Sequence, residues 1–252
     1  MCVDCGCGPA EHHHDHDHHH HDHDHHHHDH DHGSKTLRIE EDILGKNNRL
    51  AGSNRALFLE RGVFVLNLVS SPGSGKTSIL ERTLTDLNGQ YGFAVLEGDQ
   101  QTANDADRIA ATGVPVKQIN TGAGCHLDAH MVGHGVEGFD LAATDILMIE
   151  NVGNLVCPAS FDLGEDHKVA VLSVTEGEDK PIKYPNMFHA ADLMIINKID
   201  LLPHLDFDVE KCKAYARQVK PDIRILELSC RTGEGMEQWY DWLADGVQKK
   251  RS

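Results

Sequence analysis

VFVLNLVSSPGSGKT, residues 63–77, decides the fold. The mostly apolar run 63–69 reads as a buried strand, and a helical pattern over 76–89 follows the glycine loop. Strand, glycine loop and helix in that order are the context a phosphate-binding loop requires. Gly73 and Gly75, flanking Ser74, let backbone N–H groups turn toward a polyphosphate, and the helix N-terminus adds partial positive charge. Lys76 is placed to neutralise β- and γ-phosphate oxygens and the Thr77 hydroxyl to hold Mg²⁺, with Ser78 the next nucleotide ligand on the helix. Ser70 stands where the usual G-x-x-x-x-G-K-[ST] pattern has glycine, and the competing reading is a glycine-rich turn that only caps a helix.

Outward from that loop, further short apolar runs fall at 92–96, 115–119, 145–150, 168–174, 192–196 and 223–228. Helical stretches fall near 104–111, 126–135, 207–219 and 235–247, and an amphipathic helix is expected over 43–59. Strands alternating with helices predict an α/β P-loop fold, a mostly parallel sheet covered by helices on both faces. Ligands of such sheets bind beyond the C-terminal strand ends, so the loops there are expected to carry the chemistry. This domain is read as residues 36–252. Before it lie a Cys-rich motif (1–10) and a His/Asp-rich tail (11–35) that ends in the short hinge Gly33-Ser34-Lys35. Residues 12–32 are fifteen His and six Asp with no apolar residue, so the tail is expected to stay disordered.

The formal charge is −17, from 40 acidic and 23 basic residues, without a Lys/Arg stripe, which argues against nucleic-acid binding. No apolar run reaches 18 residues, so no membrane insertion is expected, and the N-terminus has no basic patch and apolar stretch of a secretory signal. In such a chain seven cysteines read as reduced thiols and metal ligands, consistent with a cytoplasmic location.

Asn197-Lys198-Ile199-Asp200 follows the strand 192–196. In an N-K-x-D motif the Asp carboxylate accepts from guanine N1–H and the 2-amino group, a donor pair adenine lacks, so GTP and GDP are the expected ligands. The Lys198 stem would pack on the base and Asn197 would brace the neighbouring loop. Ser229-Cys230 follows the next strand, where GTPases place a backbone N–H against the guanine oxygen. Glu97-Gly98-Asp99 and Glu150-Asn151-Val152-Gly153 end two other strands. Asp99 and Glu150 are therefore expected to position Mg²⁺ or the attacking water, with Gly153 free to move toward the γ-phosphate; the alternative is that either carboxylate only caps a loop.

Cys125-His126 is expected to open a helix, and Cys157 follows the Glu150–Gly153 loop. Thiolates with an imidazole suit Zn²⁺ or Ni²⁺, with one position left for water, another side chain or a second subunit. The alternative is buried structural thiols beside a surface histidine. Cys2, Cys5 and Cys7 pack three thiols into six residues, within reach of one ion and suited, with the terminal amine, to a square-planar Ni²⁺ or Cu²⁺ site. The His/Asp run suits weak, rapidly exchanging storage of divalent ions.

The CxxCGC cluster, the His-rich spacer, SSPGSGKT, TGAGCHLD (121–128), ENVGNLVCP (150–158) and NKID (197–200) together closely resemble the HypB family of hydrogenase nickel-incorporation GTPases, over essentially the whole chain. The resemblance implies a SIMIBI-class GTPase that loads nickel into [NiFe] hydrogenase, with a HypA-type metallochaperone and the hydrogenase large subunit as partners. It also implies that Cys125, His126 and Cys157 form a metal site near a dimer interface, that GTP favours the homodimer, and that Cys2, Cys5 and Cys7 form a high-affinity nickel site. Two other functions stay open: a urease-type nickel-insertion GTPase, and a nickel-storage protein with a vestigial GTPase domain.

Overall fold

A computed structural model describes residues 32–99, 104–122 and 124–252, without the side chains of 32–40 and Asn104. The strands are β1 (Phe64–Ser70), β2 (Phe93–Asp99), β3 (Val116–Asn120), β4 (Ile146–Gly153), β5 (His167–Ser173), β6 (Leu193–Asn197) and β7 (Arg224–Glu227). The helices are α1 (His32–Arg61), α2 (Lys76–Asp86), α3 (Asn104–Ala110), α4 (Ala129–Val136), α5 (Lys180–Lys183), α6 (Pro185–Ala190), α7 (Val209–Val219) and α8 (Met236–Arg251). All seven strands pair in parallel, in the order β3-β2-β4-β1-β5-β6-β7. Every expected strand is present, with ends shifted by up to three residues.

β1 is central and buried along its whole length, which is why it reads as a continuous apolar run rather than an alternating one. Phe64, Leu66 and Leu68 pack with Ile79, Leu80 and Leu84 of α2 and Trp239 and Leu243 of α8. Val63 and Val65, on the other face, pack with Phe58 of α1 and Val132 of α4. A third cluster joins Val69 to α6 and α7 through Met187, Phe188 and Cys212. Each such side chain contributes about 1.5–3 kcal/mol by leaving water. The result holds the C-terminal ends of β1, β2 and β4 side by side.

Four elements differ from expectation. α1 begins at His32, so Gly33-Ser34-Lys35 lies inside a helix rather than forming a hinge; glycine costs a helix only about 1 kcal/mol. Asn47 and Asn54 anchor this helix beside the site: Ala129 N–H donates to Asn47 Oδ1 at 2.9 Å, and Asn54 Nδ2 donates to the carbonyls of Ala129 and Leu163 at 2.8 and 3.0 Å. The helix expected from 126 starts at Ala129 instead, because Asp128 caps it by accepting from Met131 N–H at 2.8 Å. α5 and α6 were not expected; they are four and six residues long and open with Pro181 and Pro185 near their N-termini, too short for a periodicity to show.

Candidate functional site

The loop between β1 and α2 keeps its shape through contacts with the N-K-x-D segment. Gly75 has φ +98°, where an L side chain is strained, and a Cβ there would lie 2.5 Å from Asn197 Nδ2. That amide donates to the Ser74 carbonyl at 3.0 Å, so Asn197 braces the loop as its motif predicts. Lys198, itself at φ +64°, donates from Nζ to the Gly73 carbonyl at 2.6 Å, so its stem spans the gap between loop and base-binding segment. The serine at the first loop position finds a reason here. The Lys76 ammonium donates to Ser70 Oγ at 2.7 Å, a resting partner for a cation that is otherwise buried. Ser70 is not among the residues at positive φ, so glycine is not required there.

A cleft of about 530 Å³ opens over this loop, lined by Lys76, Thr77, Ser78, Glu97, Asp99 and Glu150 and closed on one side by Asn151–Gly153. Thr77 Oγ1 donates to Glu150 Oε1 at 2.7 Å, which brings the expected Mg²⁺ ligand and the expected carboxylate together. Glu150 Oε2 and Glu97 Oε2 are buried and have no hydrogen-bond partner among the described residues. Burial, then the charges of Glu150, Asp99 and Asp105, push the Glu97 carboxyl up to about 8, with Lys76 opposing. Burial also raises Glu150, opposed by Lys76 and the Thr77 hydrogen bond, and lowers Lys76, opposed by Glu150. Gly153 lies against the phosphate loop, where a Cβ would meet Pro72 at 3.2 Å.

At the base-binding end, Asp200 lies in a short 3₁₀ turn (Ile199–His204), and Ser229 Oγ donates to its Oδ1 at 2.6 Å. The Ser229 N–H is taken by the Glu234 carbonyl at 2.9 Å, so it is the hydroxyl of Ser229, not its amide, that faces Asp200. Cys230 is half-buried beside it, and its carbonyl accepts from Arg82 Nη1 at 3.2 Å.

Cys125, His126 and Cys157 converge, with one ligand atom of each lying within 4.8 Å of the others. The two sulfur atoms are 2.7 Å apart, and Cys125 Sγ is 3.6 Å from His126 Nδ1. Both thiols are buried, and the His126 ring rests on Phe161 with centroids 3.9 Å apart. Burial lowers the His126 pKa, which favours the neutral, ligating imidazole. Cys125 and His126 occupy the turn before α4, which frees both side chains to reach one point as consecutive helical positions could not. The two sites touch through Asn151, next in sequence to Glu150, whose Oδ1 accepts from Leu127 N–H at 3.1 Å.

Sequence reasoning passed over several groups that line the cleft: Glu97, quoted only within its motif, together with Asp105 and Arg108. Arg108 pairs with Glu81 at 2.6 Å across two helices, a contact without a local pattern. Lys180, on the unexpected α5, donates to Ser71 Oγ at 3.3 Å. Cys2, Cys5, Cys7 and His/Asp residues 12–31 lie outside the described residues.

Strand order, phosphate loop and guanine-type loop define the class, a P-loop nucleotide-binding protein with the GTPase fold. The family model for the CobW/HypB/UreG nucleotide-binding domain matches residues 64–227, from β1 through β7. The chain is 68% identical over 210 residues to the hydrogenase maturation factor HypB of Azotobacter vinelandii, covering 83% of this chain and 69% of that one. Among solved structures it is similar to HypB of Archaeoglobus fulgidus, with 41% identity, TM-score 0.76, and coverage of 81% of this chain and 99% of that one. It is likewise similar to HypB of Helicobacter pylori in complex with nickel, with 41% identity, TM-score 0.77, and coverage of 81% and 96%. The chain belongs to the HypB family of hydrogenase maturation factors. No helix among the described residues is long and apolar enough to cross a membrane.

Proposed function

We propose that this protein is a GTP-hydrolysing nickel chaperone that stores nickel and delivers it for [NiFe] hydrogenase maturation, with hydrolysis switching its metal and dimer state. The observation that carries this reading is the hydrogen bond from Leu127 N–H to Asn151, which joins the Cys125–His126 turn to the strand end holding Glu150. A transition-metal donor set and a triphosphate cleft thus share one strand end, and a change in one is felt at the other.

In the nucleotide cleft, Asp200, held by Ser229, offers its carboxylate to guanine, while Lys198 lies along the base. Backbone N–H groups of Gly73 to Ser78 cradle the phosphates, and Lys76 leaves Ser70 for a phosphate oxygen. The residues fit Mg²⁺: Thr77, Glu150, Glu97 and Asp99 supply hard oxygen donors, and Glu150 Oε2 and Glu97 Oε2 are buried without partners among the described residues. Held by these residues, Mg²⁺ would neutralise charge on the phosphates. Asp99 or Glu150 then orients the attacking water.

At the metal turns, two thiols and a neutral imidazole suit Ni²⁺ as cargo and Zn²⁺ as an alternative occupant, with a fourth position for water or the second subunit of a GTP-favoured homodimer. Cys2, Cys5 and Cys7 supply a high-affinity nickel site and the His/Asp tail a store. A HypA-type metallochaperone and the hydrogenase large subunit are the proposed partners, in the cytoplasm.

Two measurements test this reading. Single-turnover GTP hydrolysis is expected to be slow but abolished in Lys76→Ala; equal rates would leave only storage. Expression in maturation-deficient cells is expected to rescue hydrogenase, and rescue of urease alone would favour the urease-type reading.

A further inference from the structure

The two metal-bearing turns are tied to different strands by buried side chains. Asn151, 2% exposed, holds the Cys125–His126 turn by accepting from Leu127 N–H at 3.1 Å. Lys168, 7% exposed on β5, holds the other turn. Its ammonium donates to the carbonyls of Pro158 at 2.8 Å, Phe161 at 3.1 Å and Ala159 at 3.4 Å, three acceptors on the turn that begins at Cys157. Glu165 balances the charge, with Oε1 3.8 Å from the ammonium. Glu165 is itself held, by Leu163 N–H at 2.6 Å and Asn67 Nδ2 at 3.0 Å. A buried ion pair is a costly way to fill a sheet face, and removing one partner leaves an uncompensated buried charge.

The two anchoring strands differ in freedom. β4 pairs with β2 only as far as Glu150, and its register against β1 breaks between Leu68 and Ser70. Beyond Glu150 the strand end Asn151–Gly153 has no β2 partner and is held to β1 by the Ser70–Gly153 pair and by Asn151 Nδ2, which donates to Asn67 Oδ1 at 3.2 Å, and it borders the cleft. β5 is paired with β1 on one side and β6 on the other, with Lys168 directly opposite Asn67.

We propose that Lys168 is a positioning residue for the metal site: it pins the Cys157 turn to β5, so that a shift of the β4 end, carried to Cys125 and His126 through Asn151, changes the spacing of the ligands. Without the pin, both turns follow the strand end together and the donor set keeps its shape. This rests on the reading that metal binding responds to the nucleotide.

The test uses the full chain with Cys2, Cys5 and Cys7 changed to Ser, which silences the N-terminal thiols. Ni²⁺ is titrated in the GDP form and with a non-hydrolysable GTP analogue. The readout is thiolate-to-nickel charge-transfer absorbance, which the His/Asp run, lacking sulfur, does not produce. Lys168→Met and the charge-balanced Lys168→Met/Glu165→Gln are compared with this parent. In both, the ratio of nickel dissociation constants between the nucleotide forms is expected to fall about threefold or more toward one, with GTP-analogue affinity unchanged within about twofold. A ratio kept in the folded double variant overturns the proposal and leaves the coupled reading standing. A ratio of one in the parent overturns that reading, and the proposal with it. Should neither variant fold, hydrogen exchange on the parent decides: protection of 125–128 is expected to change between nucleotide forms while 157–161 holds, and equal changes in both overturn the proposal.

Discussion

Replacing Glu97 by glutamine should make the nucleotide-free protein more stable at high pH and leave it unchanged at low pH. The reason is the electrostatic load in the cleft. Burial and the charges of Glu150, Asp99 and Asp105 raise the Glu97 carboxyl from its ordinary 4.5 to about 8. Between those values the folded chain keeps the proton and the unfolded chain has lost it. The unfolded state binds fewer protons, so stability falls as pH rises, by about 1.4 kcal/mol per pH unit for one such group. Across the whole interval that amounts to about 5 kcal/mol. Glu97 borders an open, water-accessible cleft, so roughly half, about 2 kcal/mol, is expected in practice. Urea unfolding of parent and Glu97→Gln, each free of nucleotide and metal, measures it at about pH 5 and about pH 8. The difference between the two proteins is expected to be near zero at the lower pH and about 2 kcal/mol in favour of glutamine at the higher. A constant difference across that range would refute the idea that burial and the neighbouring carboxylates keep Glu97 protonated in the folded cleft. Added Mg²⁺ with GDP should stabilise the parent more than the variant.

Other substitutions probe separate parts of the same account. Gly75→Ala forces a side chain into φ +98° and against Asn197 Nδ2 at 2.5 Å; about 2–3 kcal/mol is at stake, so GTP affinity should fall roughly 30-fold or more, measured by calorimetry. Ser229→Ala removes the 2.6 Å bond that orients Asp200 and should weaken GDP and GTP alike by about tenfold; selective loss of GTP would argue against a base-directed role. Trp239→Phe loses the indole N–H bond to Thr83 at 2.9 Å in the α2/α8 core and should cost about 1–3 kcal/mol in urea unfolding with GDP affinity unchanged.

The parts of this molecule legible in its sequence are those whose chemistry is local. The phosphate loop with its strand and helix, and the N-K-x-D segment on β6, carry their meaning in neighbouring residues, and the structure places them together. The alternation of apolar runs predicts the parallel sheet because buried parallel strands are apolar on both faces. Cys125, His126 and Cys157 converge as their types suggest, yet through a capped turn rather than a helix face; the cap, Asp128, was there to read. Contacts between distant segments were not legible. The raised Glu97 carboxyl depends on its burial and on Glu150 and Asp105, which arrive from β4 and α3, and Lys168 grips carbonyls seven to ten residues before it in a chain that folds back. Proline-led α5 and α6 were lost because a helix of four or six residues shows too little of a 3.6-residue period.

The central claim is that nucleotide and metal are sensed through one strand end. It is tested most directly by nickel stoichiometry from equilibrium dialysis, combined with the mass of the assembly, for the same preparation without nucleotide, with GDP and with a non-hydrolysable GTP analogue. The account predicts that both nickel content at Cys125, His126 and Cys157 and the monomer–dimer balance differ between the GDP and analogue forms, and that the nickel difference disappears in Cys157→Ala. Identical nickel content and identical mass in every nucleotide state would contradict it.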